Sequence, residues 1–144
     1  MSKNEQVKTT SAPLAGVLTL AEETTMSSAH FLPFYAGECS NVHGHTWRIR
    51  ARWRCLTTDK DAVGIAIDFK ALKIALRVVT RKLDHNLLNK TILQPTAENI
   101  AEHIYHELQK SATASEHLLD VQVYESPTSS VRYDERRLID VECT

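Results

Sequence analysis

From Thr46 to Cys55 the chain alternates strictly. Trp47, Ile49, Ala51, Trp53 and Cys55 occupy one parity, and Arg48, Arg50, Arg52 and Arg54 the other. Successive side chains of a strand point to opposite faces, so the pattern predicts a strand with one apolar face and one face of four guanidinium groups. The arginines read as a solvated or ion-paired face. The competing reading is a polar tunnel wall in an oligomer, or a phosphate contact. The same parity runs back through His45 and His43. Both imidazoles fall on the apolar side if the strand already extends that far, and Gly44 between them has no side chain to crowd the opposite face.

A period of three to four then replaces the period of two. In AIDFKALKIALRVVTRKLDH (66–85), Phe69, Leu72, Leu76, Val79 and Leu83 form one stripe, which predicts a helix with Asp68 as its N-cap. PTAENIAEHIYHELQK (95–110) predicts a second helix. Thr96 caps it, Glu98 favours its positive end, and Ile100, Ala101, Ile104 and Leu108 form the stripe. SATASEH (111–117) is a small-residue loop. LLDVQVYE (118–125) predicts a strand with Leu119, Val121, Val123 and Glu125 on one parity, followed by a turn at SPTSS, a strand in VRYD and a last strand in RRLIDVEC (136–143). GVLTLAEETTMSSAH (16–30) supplies an opening strand that ends near His30. Strand, strand, two helices, then strands is an α+β order: an antiparallel sheet covered on one face by two helices.

Composition narrows the class without changing this picture. At 144 residues the chain is one domain, with 42% hydrophobic and 24% charged residues, ordinary for a globular protein. Residues 1–13 (MSKNEQVKTTSAP) are polar and aperiodic and read as a flexible tail, which leaves 14–144 as a single domain. The net charge of −1 gives no basic excess, so neither a nucleic-acid nor a membrane partner is expected. No apolar run approaches the ~20 residues that span a bilayer, and the opening residues lack the form of a signal peptide. Cysteines at 39, 55 and 143 make no framework of pairs, which favours a reducing, cytoplasmic setting.

Chemistry concentrates at the mouth of the alternating strand. A His-x-His pair puts two imidazoles on one face, about 7 Å apart at the backbone. A catalytic zinc commonly has three protein ligands and an open position, so His43 and His45 supply two. His30 is the best third, because it closes the preceding strand and FLPFYAGECSNV (31–42) joins two antiparallel neighbours. Cys39 has two functional readings, a fourth ligand in a closed structural site or a thiolate beside the metal acting as base or nucleophile. The spacing Cys-x3-His-x-His is unlike a structural Cys-x2-Cys knuckle, which favours the catalytic reading. Cys55 and Cys143 read as buried small hydrophobes. Asp84 and His85 make a carboxylate–imidazole pair suited to acid–base work, though a helix end would also explain them. Glu125 sits on the apolar parity of its strand, where a carboxylate is costly unless paired or binding something. There it would suit the adjacent N–H groups of a guanidine-like heterocycle. His103, His106 and His117 read as surface residues.

With these residues collected, the chain resembles the 6-pyruvoyl-tetrahydropterin synthase family, most closely its bacterial 6-carboxytetrahydropterin synthase branch. SSAHFLP, CSNVHGHTW, GIAIDFKALK, LDHNLLN, PTAENIAEHI and YESPTSSVRY occur in family order and cover about residues 26 to 133. The resemblance implies the tunnelling fold, in which a four-stranded antiparallel sheet carries two helices and the sheets of several subunits close into a barrel. It implies a homohexamer built as a dimer of trimers, with sites between subunits. It also implies Zn2+ on His30, His43 and His45, Cys39 as catalytic base, Asp84 and His85 as a second acid–base unit, and Glu125 and Thr96 as substrate-binding residues.

The implied substrate is 7,8-dihydroneopterin triphosphate. The implied products are 6-carboxytetrahydropterin, acetaldehyde and triphosphate, on the route to 7-deazaguanine bases including queuosine. The three-residue gap between Cys39 and His43 favours this branch over the pyruvoyl enzymes, which stop after triphosphate elimination. The intact Cys39, Asp84, His85 and Glu125 set disfavours a non-catalytic zinc- or pterin-binding scaffold. Phe31 departs from the family, where many relatives have arginine after the zinc histidine.

Overall fold

A computed structural model describes residues 14–135. The tail at 1–13, the strand expected over 136–143 and Cys143 lie outside the described residues. Strands β1 (Val17–His30) and β2 (His43–Leu56) come first, then helices α1 (Phe69–Arg81) and α2 (Ala97–Gln109), then β3 (Leu118–Tyr124) and β4 (Ser130–Tyr133). The four strands form one antiparallel sheet in the order β1-β2-β3-β4. The two helices cover the face that carries Trp47, Ile49, Ala51 and Trp53, all fully buried.

The alternation of β2 therefore does what its pattern predicts. Its odd positions meet Leu72, Leu76 and Val79 of α1, Ile100, Ile104 and Leu108 of α2, and Val121 and Val123 of β3. Each such buried aliphatic side chain contributes roughly 2 kcal/mol, well above what helix propensity offers over 13 residues. Cys55 is buried as a small hydrophobe, and the Trp53 indole N–H donates to the Ala114 carbonyl at 2.9 Å.

Three details differ from the sequence pattern. Phe69 is 52% exposed: as the first helical residue it has no preceding turn to cover it. Leu119 is only half-buried, because the β2–β3 register slips between Arg52 and Trp53 and sets Leu118 opposite Trp53. Helix α1 ends at Arg81 rather than running to 85. His85 has a φ of 55° and its N–H donates to the Ser27 carbonyl of β1 at 2.7 Å, so the chain leaves the helical path to meet the sheet. Both predicted caps are present. The Asp68 carboxylate accepts from Lys70 N at 2.8 Å, and the Thr96 hydroxyl from Asn99 N at 3.3 Å.

Three of the four arginines on the opposite face, Arg48, Arg50 and Arg52, are ion-paired. Glu23 of β1 lies opposite Arg50 and bonds both Arg50 and Arg48, and the Arg48 guanidinium stacks 3.7 Å from the Tyr124 ring centroid. Asp120 of β3, 2% exposed, takes both hydrogen bonds of the Arg52 guanidinium.

Between the helix C-termini, Lys110 and Lys82 both bond the Glu107 carboxylate. These two contacts, Lys110 first, pull its pKa from 4.5 to about 2. A depressed carboxyl stabilises the fold above its unfolded pKa and loses that contribution as pH falls through the folded value. Because both ammonium groups are largely exposed, about 1 kcal/mol is expected. Urea unfolding of a Glu107→Gln chain should show that deficit at pH 7, shrinking between pH 4.5 and 2. A deficit that is constant with pH would mean the lysines do not hold the carboxylate charged.

Candidate metal centre and active site

The β1–β2 hairpin builds the centre by register alone. His30 lies directly opposite His43, and Ser28 opposite His45. Alternation then places all three imidazoles on the core side, with His30 and His45 against the buried Trp47. Their ring centroids are 4.5 to 5.1 Å apart, and one nitrogen from each lies within 4.8 Å of the others.

Backbone carbonyls set the tautomers. His30 is 2% exposed, and its Nδ1–H donates to the Pro95 carbonyl at 2.7 Å. His43 Nδ1–H donates to the Asn41 carbonyl at 2.8 Å. Each ring is left with a lone pair on Nε2, and those two nitrogens face each other at 3.0 Å. Two lone pairs cannot bond one another, so the arrangement calls for a shared cation. His45 Nε2 is buried with no hydrogen-bond partner, and it belongs to the same group of nitrogens. Burial pushes the pKa of His30 down; the Pro95 bond opposes this, and the neighbouring His43 and His45 add to it. A neutral imidazole is the form a metal takes. Three imidazole nitrogens converging on one spot fit a metal ion of the kind histidine binds, such as Zn2+.

Cys39 lies outside this group. It sits in a single helical turn (Glu38–Ser40), half-exposed, and its carbonyl accepts from Leu32 N at 2.8 Å to close the loop after His30. Asp84 and His85 are paired, Oδ2 to Nδ1 at 3.0 Å. The Ser27 N–H donates to the other oxygen of Asp84 at 2.8 Å and is the main cause of its lowered pKa, with His85 adding to it. Since Nδ1–H of His85 is engaged, Nε2 is the atom free to exchange a proton, and the side chain is 82% exposed. His85 and His45 border one open cleft, with Ser27, Gly44 and Thr46 along its floor. Among the described residues no hydrogen bond joins Cys39 to the Asp84–His85 pair.

Glu125 follows β3 on the core parity and, with Thr96 and His30, borders a second cavity of about 260 Å³. The Thr96 hydroxyl is already committed to capping α2. The sequence pattern missed the carbonyls of Pro95 and Asn41, since a backbone acceptor carries no residue-type signal. It also missed Asn89, whose amide grips the backbone of Phe31. Of the histidines read as surface residues, His106 is exposed and pairs with Glu135, while His103 and His117 are half-buried.

A family model described as 6-pyruvoyl tetrahydropterin synthase matches residues 19–136, most of the chain and every residue of the centre. The chain belongs to the 6-pyruvoyl tetrahydropterin synthase family. It is 37% identical over 123 residues to the 6-carboxy-5,6,7,8-tetrahydropterin synthase of Synechocystis sp., covering 81% of this chain and 93% of that one. To the Bacillus subtilis protein of the same name it is 32% identical over 126 residues, covering 79% and 83%. Its fold matches the Caenorhabditis elegans 6-pyruvoyl tetrahydropterin synthase structure with a TM-score of 0.75 at 23% identity, covering 84% of this chain and 97% of that one. The chain thus has the tunnelling fold of this family of pterin synthases. Among the described residues no helix is long and apolar enough to cross a membrane.

Proposed function

We propose that the chain is a zinc-dependent 6-carboxy-5,6,7,8-tetrahydropterin synthase. It converts 7,8-dihydroneopterin triphosphate to 6-carboxytetrahydropterin, acetaldehyde and triphosphate in 7-deazaguanine (queuosine) synthesis. The observation that carries the chemistry is the convergence of His30, His43 and His45 with the Nε2 of His45 unpartnered. The names of the two curated relatives support the branch. Zinc held there would act as a Lewis acid on the hydroxyl oxygens of the substrate side chain.

The remaining roles belong to this chain's own side chains. Cys39, as thiolate, takes the carbon-bound proton from the side chain of the pterin. His85 moves the second proton at Nε2, with Asp84 fixing its tautomer through Nδ1. Glu125 accepts two N–H groups of the pterin ring from the cavity it shares with His30, and Thr96 borders the same space. A homo-oligomer that brings Cys39 of one subunit to the Asp84–His85 pair of another suits the reading. We take it to be a hexamer of two trimers, each subunit a single domain over 14–144, working in the cytoplasm.

The test is product analysis by mass spectrometry on the purified, zinc-loaded chain given 7,8-dihydroneopterin triphosphate. Acetaldehyde released in step with triphosphate is the expected result. Triphosphate with an accumulating pyruvoyl-pterin and no acetaldehyde would move the chain to the pyruvoyl reaction. No turnover beside intact zinc binding would make it a scaffold.

A further inference from the structure

We propose that Asn89 is a positioning residue for the metal centre, acting on His30 through the backbone of Phe31. The proposal rests on the reading of His30, His43 and His45 as zinc ligands. The β1–β2 ladder ends at the pair His30–His43, so no strand partner holds the residue that follows. The Asn89 side chain supplies what the ladder does not. Its Oδ1 accepts from Phe31 N at 3.0 Å, and its Nδ2 donates to the Phe31 carbonyl at 2.9 Å. Donor and acceptor of one amide thus take the two bonds that a neighbouring strand would take.

This grip is the last of a series on the outer edge of β1. Ser27 N donates to the Asp84 carboxylate, and the Ser27 carbonyl accepts from His85 N. Two residues on, Ala29 N donates to the Asn86 carbonyl at 3.1 Å. Two further on comes Phe31, with Asn89. The same connection between the helices then reaches His30 from the other side, where the Pro95 carbonyl accepts from its Nδ1–H. Gln94 Nε2 also donates to the Pro33 carbonyl at 3.1 Å. His30 is therefore flanked by anchors at 29, 31 and 33, all on the α1–α2 connection.

The consequence for a metal is geometric. Zn–N bonds are about 2.0–2.1 Å, and a site tolerates only about ±0.2 Å. A residue 31 free to shift its backbone carries His30 with it and pulls its Nε2 away from those of His43 and His45. Residues that orient a ligand from outside the coordination shell are typically worth about 10- to 100-fold in metal affinity. The grip is on backbone atoms, so it works with any side chain at 31.

The experiment measures zinc affinity on the full chain by competition with a chromophoric chelator, alongside thermal unfolding of the metal-free protein. The unaltered chain should bind one zinc. Asn89→Ala should bind it about 10- to 100-fold more weakly. Asn89→Asp, which keeps the acceptor but sets a carboxylate oxygen against the Phe31 carbonyl, should also bind it more weakly than the unaltered chain. Glu107→Gln, remote from the site, should lower the unfolding temperature and leave zinc affinity unchanged. If Asn89→Ala does not fold, Asn89→Asp and Gln94→Ala carry the comparison. Zinc affinity in folded Asn89 variants within about twofold of the unaltered chain overturns the proposal. So does an equal loss of affinity in Glu107→Gln, which would mark the effect as one of general stability. An unaltered chain that binds no zinc overturns the metal reading itself.

Discussion

A His45→Ala chain should fold, yet lose zinc by on the order of a thousandfold in affinity. Structural zinc binding by imidazole and thiolate ligands is worth about 12 kcal/mol, so one ligand of three accounts for about 4 kcal/mol. His45 is the sharpest choice of the three because its Nε2 holds no other partner. Removing it costs no hydrogen bond of the fold. Removing His30 also frees the buried carbonyl of Pro95. His45→Ala therefore separates metal binding from stability in a way that His30→Ala does not. Metal content of the purified protein, read with its unfolding temperature, checks this. Full zinc retention would mean that His45 is not a ligand.

Cys39→Ala should give the opposite pattern, with zinc retained and turnover lowered by about 10²–10⁴-fold, the range of a lost acid–base group. Cys39 stands outside the three-nitrogen group, so its sulfur is not needed to complete a zinc site. Its backbone closes the loop after His30 whatever the side chain, because the bond from Leu32 ends on the Cys39 carbonyl. Alanine keeps that bond and removes only the thiol. Loss of zinc from this variant would make Cys39 a structural ligand. Undiminished turnover would assign the proton transfer to another group.

Much of this was legible in the chain because the hairpin obeys a period of two. Once β2 was placed by Trp47, Ile49, Ala51 and Trp53, parity alone put His43 and His45 on the core face, and an antiparallel partner ending at His30 put the third imidazole beside them. The caps Asp68 and Thr96 were legible for a similarly local reason: a short polar side chain at the edge of an apolar stripe. What escaped depends on atoms that sequence does not distinguish. The carbonyls of Pro95 and Asn41 set the tautomers, yet every residue has a carbonyl. Asp120 looks like an ordinary strand residue until the β2–β3 pairing sets it opposite Arg52, whose guanidinium bonds it. The turn at His85 is dictated by β1, more than fifty residues earlier, and no nearby residue announces it.

The bond from His30 to Pro95 spans 65 positions, and that separation has a meaning in time. All three imidazoles lie within the first 45 residues, on a single hairpin, so a ribosome delivers the complete ligand set well before the carbonyl that aims one of them. A cation held by the three imidazoles would bind the folded chain and not the unfolded one, so it would also stabilise helices it never touches. Metal-dependent protection of the α2 amides from hydrogen exchange would be its signature.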